Sequence, residues 1–488
     1  MSKIHFSIMK KKIFMVSICS LFLYANIYAK DPVFTTKPAG MDNNKIDGYR
    51  GIWFGLGQKT EYGDKNSGGD GTYTSSHLPL AIYAKEVDKT FFVYGGTTSS
   101  DEKHLLSMIG YYDHKTKQVS QPTIVCDKIT VDDPHDNPCL QIDQKGHLWV
   151  FVAGRARKRP GFKYKSVKPY DIEKFEQVTM EEMCYPQPWL IPDKGFLNLF
   201  AKYIGVRLLY YETSPDGYNW SEDRQLAAII EPGAKKGGHY QVSDRNGNNV
   251  GTFFNRHPDG NVDKRTDLYY VQTSDMGKTW TTVNGTTLDI PIVQVENPAR
   301  IMNYRDQGIN VYLCDMNFDQ QGHPVCLYVT SRGWESGPNN SPYQWKFTRW
   351  NGSVWKTSAV GDSDHNYDMG SLYLLDDKWL IVAPLINGPQ LWAAGGELVF
   401  YESNDQGKTW GKTKQITCNS PRNHNYARRP VNAHDPFLYF WADGNSSKFS
   451  ISKIYFGDSS GSIWQLPYTM KSKMAEPIKI NNNLDIDK

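Results

Sequence analysis

Long apolar segments, helical periodicity and net charge are all scarce in this chain of 488 residues. The apolar run at residues 13–24 is shorter than the roughly 20 residues that a membrane helix needs, and no later run is long enough, so we expect no membrane span. A formal net charge of +3 argues against a nucleic-acid-binding protein. We find no linker, no low-complexity tract and no sign of a second domain.

Cysteine is scarce as well, and the seven present show no disulfide framework. One of them, Cys19, lies within the apolar run at residues 13–24, which three lysines precede and the small-residue site Ile27-Tyr28-Ala29 follows. This order of charge, apolar core and cleavage site is typical of a secretory signal peptide. We therefore expect residues 1–29 to be removed and the remaining chain to be exported, to the periplasm or to the medium.

Aromatic residues, by contrast, are plentiful. They make up 13% of the chain, with 30 Tyr and 14 Trp, and glycine is also frequent. This composition favours an all-β protein with many turns and an aromatic-rich binding surface. Tyr and Trp stack well on the apolar C–H faces of sugar rings, so a carbohydrate is the ligand class that the composition suggests.

A short turn motif occurs three times, each time after a β-like run. It places Asp, Gly and Trp at fixed offsets around Asp216, Asp275 and Asp405. Asp can accept backbone N–H groups inside the turn, Gly can take a positive φ, and Trp can pack between strands. The motif resembles the Asp-box, or bacterial neuraminidase repeat, of β-propellers.

Weaker copies of the turn complete a ring. They occur near Asp113, Asn351 and Asp458, and a further blade fits around residues 143–146. Asp216 and Asp275 are one blade apart, whereas Asp275 and Asp405 are two apart. We therefore predict that residues 30–488 form a single seven-bladed β-propeller, and we expect a monomer.

The stretch from residue 237 to 258 predicts a β-hairpin with a tight Asn-Gly turn at residues 246–247. The start of its first strand lies beside the end of its second. His239, Tyr240, Arg256 and His257 should therefore gather at one rim of a sheet. They offer a proton acceptor, a phenol, a guanidinium that can grip a carboxylate, and a possible metal ligand.

Further polar residues stand at predicted strand ends. His135 lies in a Pro-punctuated turn before an apolar run, with Arg155 at the far end of that run, and His77 lies before another strand. We predict His135 and His77 as catalytic candidates beside Tyr240, Arg256 and His239. The predicted sugar contacts are Arg155, Arg207, Tyr304, Tyr426 and Arg429.

Cys314 and Cys326 flank a predicted turn and would lie nearly opposite each other in paired strands. Three outcomes are open at this point: a cross-strand disulfide, two separate buried thiols, or a zinc site completed by His257 and His323. We predict a structural zinc ion on these four residues, which would brace Arg256 through its neighbour His257.

Several segments resemble the propeller polysaccharide lyases that cleave ulvan, and their relatives that act on rhamnosyl-glucuronate linkages, including oligosaccharide dehydratases. In these enzymes a second histidine follows the apolar run after the position of His135, and Arg155 stands near that place here. The matching segments cover most of the chain after the leader: residues 49–53, 133–138, 159–166, 238–242, 255–258, 265–270, 387–397 and 423–430.

The resemblance implies β-elimination at C4 and C5 of a uronic acid in an anionic polysaccharide or oligosaccharide. The leaving group is a sugar in a lyase and water in a dehydratase. In that chemistry Arg256 would grip the carboxylate, Tyr240 would act as base, acid or both, and His135 would be the partner base or would neutralise the carboxylate. His77 or His239 could instead be the base. No organic cofactor is needed.

Two other classes remain open. An exo-sialidase also carries Asp-boxes, but Arg50 lies in Tyr-Arg-Gly-Ile-Trp rather than in the Arg-Ile-Pro opening typical of sialidases. A non-catalytic glycan-binding propeller would keep the aromatic and arginine residues without a His/Tyr/Arg set. Release of sialic acid would establish the first, and sugar binding without product would support the second.

Overall fold

Antiparallel hairpins joined by tight turns build almost the whole structure. The computed structural model describes residues 40–99, 102–156, 159–376 and 378–480, so the predicted leader lies outside it. In the described part of the chain, no helix is both long and apolar enough to cross a membrane. The described helices are 3-10 turns: Pro134–Asp136, Pro258–Gly260 and Pro338–Asn340.

Short strands at the N-terminal side lead into the first three blades. The entry strands are β1 (Gly51–Gly55), β2 (Lys59–Thr60), β3 (Gly63–Asp64) and β4 (Ser67–Gly69). Blade 1 contains β5 (Ala81–Ala84), β6 (Lys89–Gly96), β7 (Leu106–Asp113), β8 (Gln118–Ser120) and β9 (Thr123–Asp127). Blade 2 contains β10 (Pro138–Ile142), β11 (Leu148–Val152), β12 (Gly161–Ser166) and β13 (Phe175–Glu181). Blade 3 contains β14 (Cys184–Ile191), β15 (Gly195–Tyr203), β16 (Arg207–Ser214) and β17 (Arg224–Ala227).

Blades 4 to 6 repeat the same four-stranded order. Blade 4 contains β18 (Gln241–Asn246), β19 (Asn249–Arg256), β20 (Thr266–Thr273) and β21 (Arg300–Met302). Blade 5 contains β22 (Asn310–Phe318), β23 (Pro324–Ser331), β24 (Tyr343–Trp350) and β25 (Trp355–Ser363). Blade 6 contains β26 (Ser371–Leu374), β27 (Trp379–Asn387), β28 (Gly396–Ser403) and β29 (Gly411–Gln415).

Blade 7 and the remaining short strands bring the chain back to its beginning. Blade 7 contains β30 (Asn423–Arg428), β31 (Tyr439–Gly444), β33 (Ile454–Gly457), β34 (Ile463–Gln465) and β36 (Ile478–Ile480). Strand β32 (Ile451–Ser452) pairs with β1, and β35 (Met474–Ala475) pairs with β8. The predicted all-β, seven-bladed β-propeller with Asp-box turns is confirmed.

The first strand of each blade lies on the inside of the ring. These strands are almost fully buried, whereas fourth strands such as β25 and β29 are largely exposed. First strands of neighbouring blades contact one another, and Val431, just after β30, forms a parallel bridge with Ile82 of β5. The starts of these strands therefore converge at one end of the ring axis.

The three full Asp-boxes occupy equivalent turns between the third and fourth strands of blades 3, 4 and 6. In each, Oδ1 of the Asp accepts backbone N–H groups across the turn at 2.8 to 3.0 Å. The weaker copies at Asp113, Asn351 and Asp458 occupy the same turn of blades 1, 5 and 7. The Asp143 turn is different, because it joins the first and second strands of blade 2.

Candidate active site

A cleft at the end of the axis collects side chains from the starts of the first strands. Tyr185 is the second residue of β14, Tyr240 directly precedes β18, and Tyr426 lies in β30. His135 comes from the 3-10 turn before β10, and Tyr73 from the loop before β5. Five separate blades thus supply one polar, aromatic-lined cleft.

His135 forms a dyad with Asp133 at one side of this cleft. The two are joined by a 2.5 Å hydrogen bond from Nδ1 to Oδ1, and Asp133 also accepts the backbone N–H of His135. Burial lowers the pKa of His135, and the opposing effect of Asp133 does not restore it. The imidazole is therefore neutral at neutral pH, and its Nε2 lone pair faces the hydroxyl of Tyr73 at 3.2 Å.

Two arginines hold Asp133 in place. Arg155 donates to its Oδ2 at 2.6 Å and Arg159 donates to the same oxygen at 2.9 Å. Burial opposes ionisation of Asp133, but the nearby His135 and both guanidiniums outweigh it and hold the pKa well below its usual range. Asp133 therefore stays charged and fixes the tautomer and orientation of the imidazole.

Tyr240 occupies the other side of the cleft, among cationic groups. The guanidinium carbon of Arg265 lies 4.5 Å from the centre of its ring and that of Arg207 lies 5.0 Å away. Burial acts to raise the pKa of Tyr240, but Arg207 and Arg265 exceed that effect, and the pKa is lowered from 10. Tyr240 is thus the phenol of the cleft prepared to ionise.

Arg207 and Arg265 share a further property. Neither has a carboxylate within 4.0 Å among the described residues. Arg207 donates to the hydroxyl of Tyr203 at 2.7 Å, and Arg265 donates to the hydroxyl of Tyr367. Two partly or fully buried positive charges without a counter-charge form a ready site for an anion.

A model of the BNR repeat-containing family matches residues 106–363, more than half of the chain. The chain belongs to the BNR repeat-containing family. Comparison with curated proteins gave no match.

Solved structures similar to this BNR repeat family member include three polysaccharide lyases. A PL25 ulvan lyase is 17% identical with a TM-score of 0.67, and the match covers 85% of this chain and 96% of that one. A PL25 ulvan lyase bound to -[GlcA(1-4)Rha3S]- is 17% identical with a TM-score of 0.66, covering 86% and 96%. The polysaccharide lyase Uly1 is 12% identical with a TM-score of 0.58, covering 86% and 99%. At these identities the likeness shows a shared fold.

The geometry does not favour the predicted role of Arg256, because its guanidinium already pairs with two carboxylates. Arg256 is 3% exposed; its Nε donates to Asp267 and its Nη1 to Glu231, each at 2.6 Å. A fork filled by two carboxylates of the same protein has no free edge for a substrate. Arg207 and Arg265 stand at the cleft instead.

His77 and His239 are also held internally, so neither is a free base. His239 accepts the backbone N–H of Ile229 and donates to the carbonyl of Asn255, and burial lowers its pKa to about 4. His77 contacts the carbonyl of His135 at 3.2 Å, and burial lowers its pKa to about 3. Through this contact, His77 supports the turn that carries His135.

The predicted sugar contacts divide into two groups. Arg155, Arg207 and Tyr426 lie at the cleft, where the ring of Tyr426 is 5.1 Å from that of Tyr73. Tyr304 is bonded to the hydroxyl of Tyr328 in the core, and Arg429 is paired with Asp244 and Asp315 deeper along the axis. Tyr304 and Arg429 are therefore structural residues.

The four predicted zinc ligands do not converge. A bulge between Leu313 and Asp315 puts Met316, rather than Cys314, opposite Cys326. Cys314 packs towards blade 6 and Cys326 towards blade 4, and the structure shows both as free thiols. His323 lies at the far end of the same strands, 3.3 Å from Asp319.

His257 is no better suited to a cation. Neither of its ring nitrogens has a hydrogen-bond partner in the described part of the chain. Burial, then Arg265 and Arg207, lower its pKa well below 6.5. The surroundings are thus positively charged and repel a metal ion, so the predicted zinc site does not fit these residues.

Three aromatic residues of the cleft were missed as site residues: Tyr73, Tyr185 and Tyr367. Tyr185 and Tyr426 both have a positive φ next to a bulge in an inner strand, which turns their rings towards the cleft. Tyrosine rarely adopts a positive φ, so no residue pattern in the sequence predicts this conformation. The available signal was the recurrence of a tyrosine near the start of several first strands, as at Tyr185, Tyr240, Tyr312 and Tyr426.

Proposed function

We propose that this protein is a carbon–oxygen lyase that performs β-elimination at C4 and C5 of a uronic acid in an anionic polysaccharide or oligosaccharide. One observation carries the proposal. An ionisable phenol, Tyr240, lies between two arginines that have no carboxylate partner, Arg207 and Arg265. A uronate carboxylate supplies the missing counter-charge and places C5 near the phenol.

The arginines do the first part of the work. Removing the C5 proton next to a carboxylate generates an enolate-like dianion, which is stabilised only if positive charge is already in place. Arg207 and Arg265 are held by tyrosine hydroxyls and rings rather than by acids, so their charge stays available. They bind the carboxylate, and their electrostatic attraction to it becomes stronger as negative charge develops on it.

Tyr240 then acts as the base. Its phenolate oxygen takes the proton from C5, the C–H electron pair forms the C4–C5 double bond, and the C4–O bond breaks. A phenol whose pKa is lowered from 10 by adjacent cations is deprotonated more readily at working pH, which suits this task.

Tyr73 supplies the proton for the leaving oxygen. Burial raises its pKa well above 10, so the hydroxyl stays protonated until the reaction demands it. Its contact with Nε2 of His135, which Asp133 orients, holds the hydroxyl in a fixed position. Proton exchange with solvent afterwards restores Tyr240 to phenolate and Tyr73 to phenol.

The substrate class follows from charge and shape. The free volume inside the cleft is only about 40 Å³, so a sugar lies across its mouth rather than sinking into the axis. Glucuronate linked to sulfated rhamnose, as in the -[GlcA(1-4)Rha3S]- bound to a PL25 ulvan lyase, has the negative charge that the arginines require. Export after removal of residues 1–29 would bring the enzyme to such a polymer outside the cell.

The decisive experiment incubates the protein with ulvan oligosaccharides and follows the ultraviolet absorbance of the unsaturated uronate. Product masses distinguish loss of a sugar from loss of water. We expect unsaturated product from the wild type, and none above background from His135→Asn, which retains a similar circular dichroism spectrum. Release of sialic acid, or tight sugar binding with no product under all conditions, would overturn the proposal.

A further inference from the structure

A second cluster of chemically distinctive side chains lies at the seam where blade 7 meets blade 1. Asp88 stands in the turn between β5 and β6, His114 follows β7, and His434 follows β30. One ligand atom from each of these residues lies within 4.8 Å of the other two. Two blades that are far apart in the chain thus aim three metal-type ligands at one point.

The two ligands from blade 1 are held in position. The backbone N–H of His114 donates to the carbonyl of Asp88 at 3.1 Å, and Asp88 has a left-handed φ of 54°. The hydroxyl of Tyr83 donates to Oδ1 of Asp88 at 3.0 Å. Nε2 of His114 lies 2.8 Å from the hydroxyl of Thr90. Metal ligands in proteins are typically oriented by such outer hydrogen bonds.

The third ligand is oriented by packing. The ring of His434 stacks on that of Tyr83 with centroids 4.5 Å apart, and its nitrogens make no hydrogen bond within the described residues. The cluster borders an open groove of about 780 Å³, which gives a metal ion a path from solvent.

We propose that Asp88, His114 and His434 form a binding site for a late first-row divalent metal ion, with Zn²⁺ as the reference ion. Two imidazoles and one carboxylate, with water in the remaining position, match the ligands and coordination number that zinc prefers. His434 is exposed, so the site can be reached from solvent on that side. The bound ion would join the first and last blades, and so stabilise the closure of the ring.

A second group of acids shows why this cluster is different. Glu181, Glu212 and Asp223 also converge, but Lys163 donates to Glu181 at 2.6 Å and to Glu212 at 2.8 Å. An internal ammonium already neutralises those carboxylates. Among the described residues, no lysine or arginine forms an ion pair with Asp88.

The test uses untagged full-length protein, stripped with a chelator and dialysed against micromolar ZnCl₂. We expect elemental analysis to find one zinc per chain. Zinc at about 100 times its Kd should raise Tm by about 2–3 °C, because only the folded state binds it. Co²⁺ in place of Zn²⁺ should give visible absorption bands of a low-coordinate site.

Two variants decide whether the zinc is at the seam. His434→Gln alters an exposed side chain and should abolish both the bound zinc and the Tm shift. His104→Gln is the matched control in blade 1, because both nitrogens of His104 already face carboxylates, Glu102 and Asp127. It should bind zinc as the wild type does. A wild type that retains no zinc, or a His434→Gln variant that retains it, would refute the site.

Discussion

His239 and Tyr240 are neighbours in the chain, but only Tyr240 reaches the cleft. Successive side chains of an extended segment point to opposite sides. Tyr240 therefore meets Arg207 and Arg265, whereas His239 turns inward and is saturated by Ile229 and Asn255. The polar side chains at the rim of the hairpin therefore differ in their surroundings: Tyr240 faces the cleft, whereas His239 is hydrogen-bonded inside the fold.

The same division separates the arginines. Arg256, at the rim, has its guanidinium paired with Glu231 and Asp267, whereas Arg207 and Arg265 donate to phenol hydroxyls and have no carboxylate partner in the described part of the chain. On the proposed mechanism, what sets Arg207 and Arg265 apart is the absence of an internal carboxylate partner among the described residues, not their proximity to a histidine or tyrosine in the sequence.

Tyr240→Phe should cause the largest loss of activity. The change removes the proton acceptor but keeps the ring that stacks against Arg265. Since general acid–base groups contribute about 10²–10⁴-fold, we expect kcat to fall by that factor while Tm changes little. Steady-state kinetics on ulvan oligosaccharides measure it. Unsaturated uronate formed at the wild-type rate would eliminate Tyr240 as the base.

Arg256→Met should lower the stability of the protein rather than its activity. It leaves the carboxylate of Asp267, which is 0% exposed, without its partner. Breaking a buried ion pair in this way costs about 3–5 kcal/mol, and denaturant unfolding should show that loss. The activity per folded molecule should stay close to the wild-type value. A selective loss of kcat without loss of stability would return Arg256 to the active site.

Arg265→Gln should instead lower activity more than stability. The variant keeps hydrogen-bond donors for the hydroxyl of Tyr367 but loses the charge. A hydrogen bond to a charged group is worth about 1.5–3 kcal/mol, so kcat/KM should fall by roughly 10- to 150-fold. Thermal unfolding should show a much smaller change than in Arg256→Met. Full activity of Arg265→Gln would show that this arginine does not bind the substrate carboxylate.

The pH dependence of kcat/KM should distinguish Arg265 from Arg256 by a smaller effect. As a base, Tyr240 must be ionised, so kcat/KM should rise with pH through the pKa of Tyr240, which lies below 10. Because Arg207 and Arg265 are what lower that pKa, Arg265→Gln should move this rise to higher pH. Arg256→Met should leave it unchanged. A rise that stays in place in Arg265→Gln would mean that another group titrates.

Much of the architecture could be predicted from the sequence. The Asp-box turns, the hairpin of β18 and β19 and the number of blades all follow from local patterns that recur at blade spacing. His135 stood out because a Pro-bounded turn before an apolar strand places a residue at a strand start. Such features depend on residues that are close in the chain.

The pairing of charges could not be predicted in the same way. Arg429 bonds to Asp244, which is 185 residues away, and Arg256 bonds to Glu231 across 25 residues. Arg429 and Asp244 meet only because the ring brings blades 7 and 4 together at the axis. Likewise, the register of β22 against β23 puts Cys314 and Cys326 in different core clusters, and no composition signal fixes that register.

The Asp-box glycines give the ring a direction. Gly277, with φ at 72°, lies so close to the ring of Tyr211 that a Cβ there would sit 2.4 Å from it, and Tyr211 belongs to the preceding blade. Gly217 and Gly407 meet Trp149 and Phe347 of their own preceding blades in the same manner. Blades 3, 4 and 6 therefore each pack this turn onto the blade that precedes them in the chain. Assembly from the N-terminus can proceed blade by blade as the polypeptide is delivered, and only the last seam must wait for the whole chain.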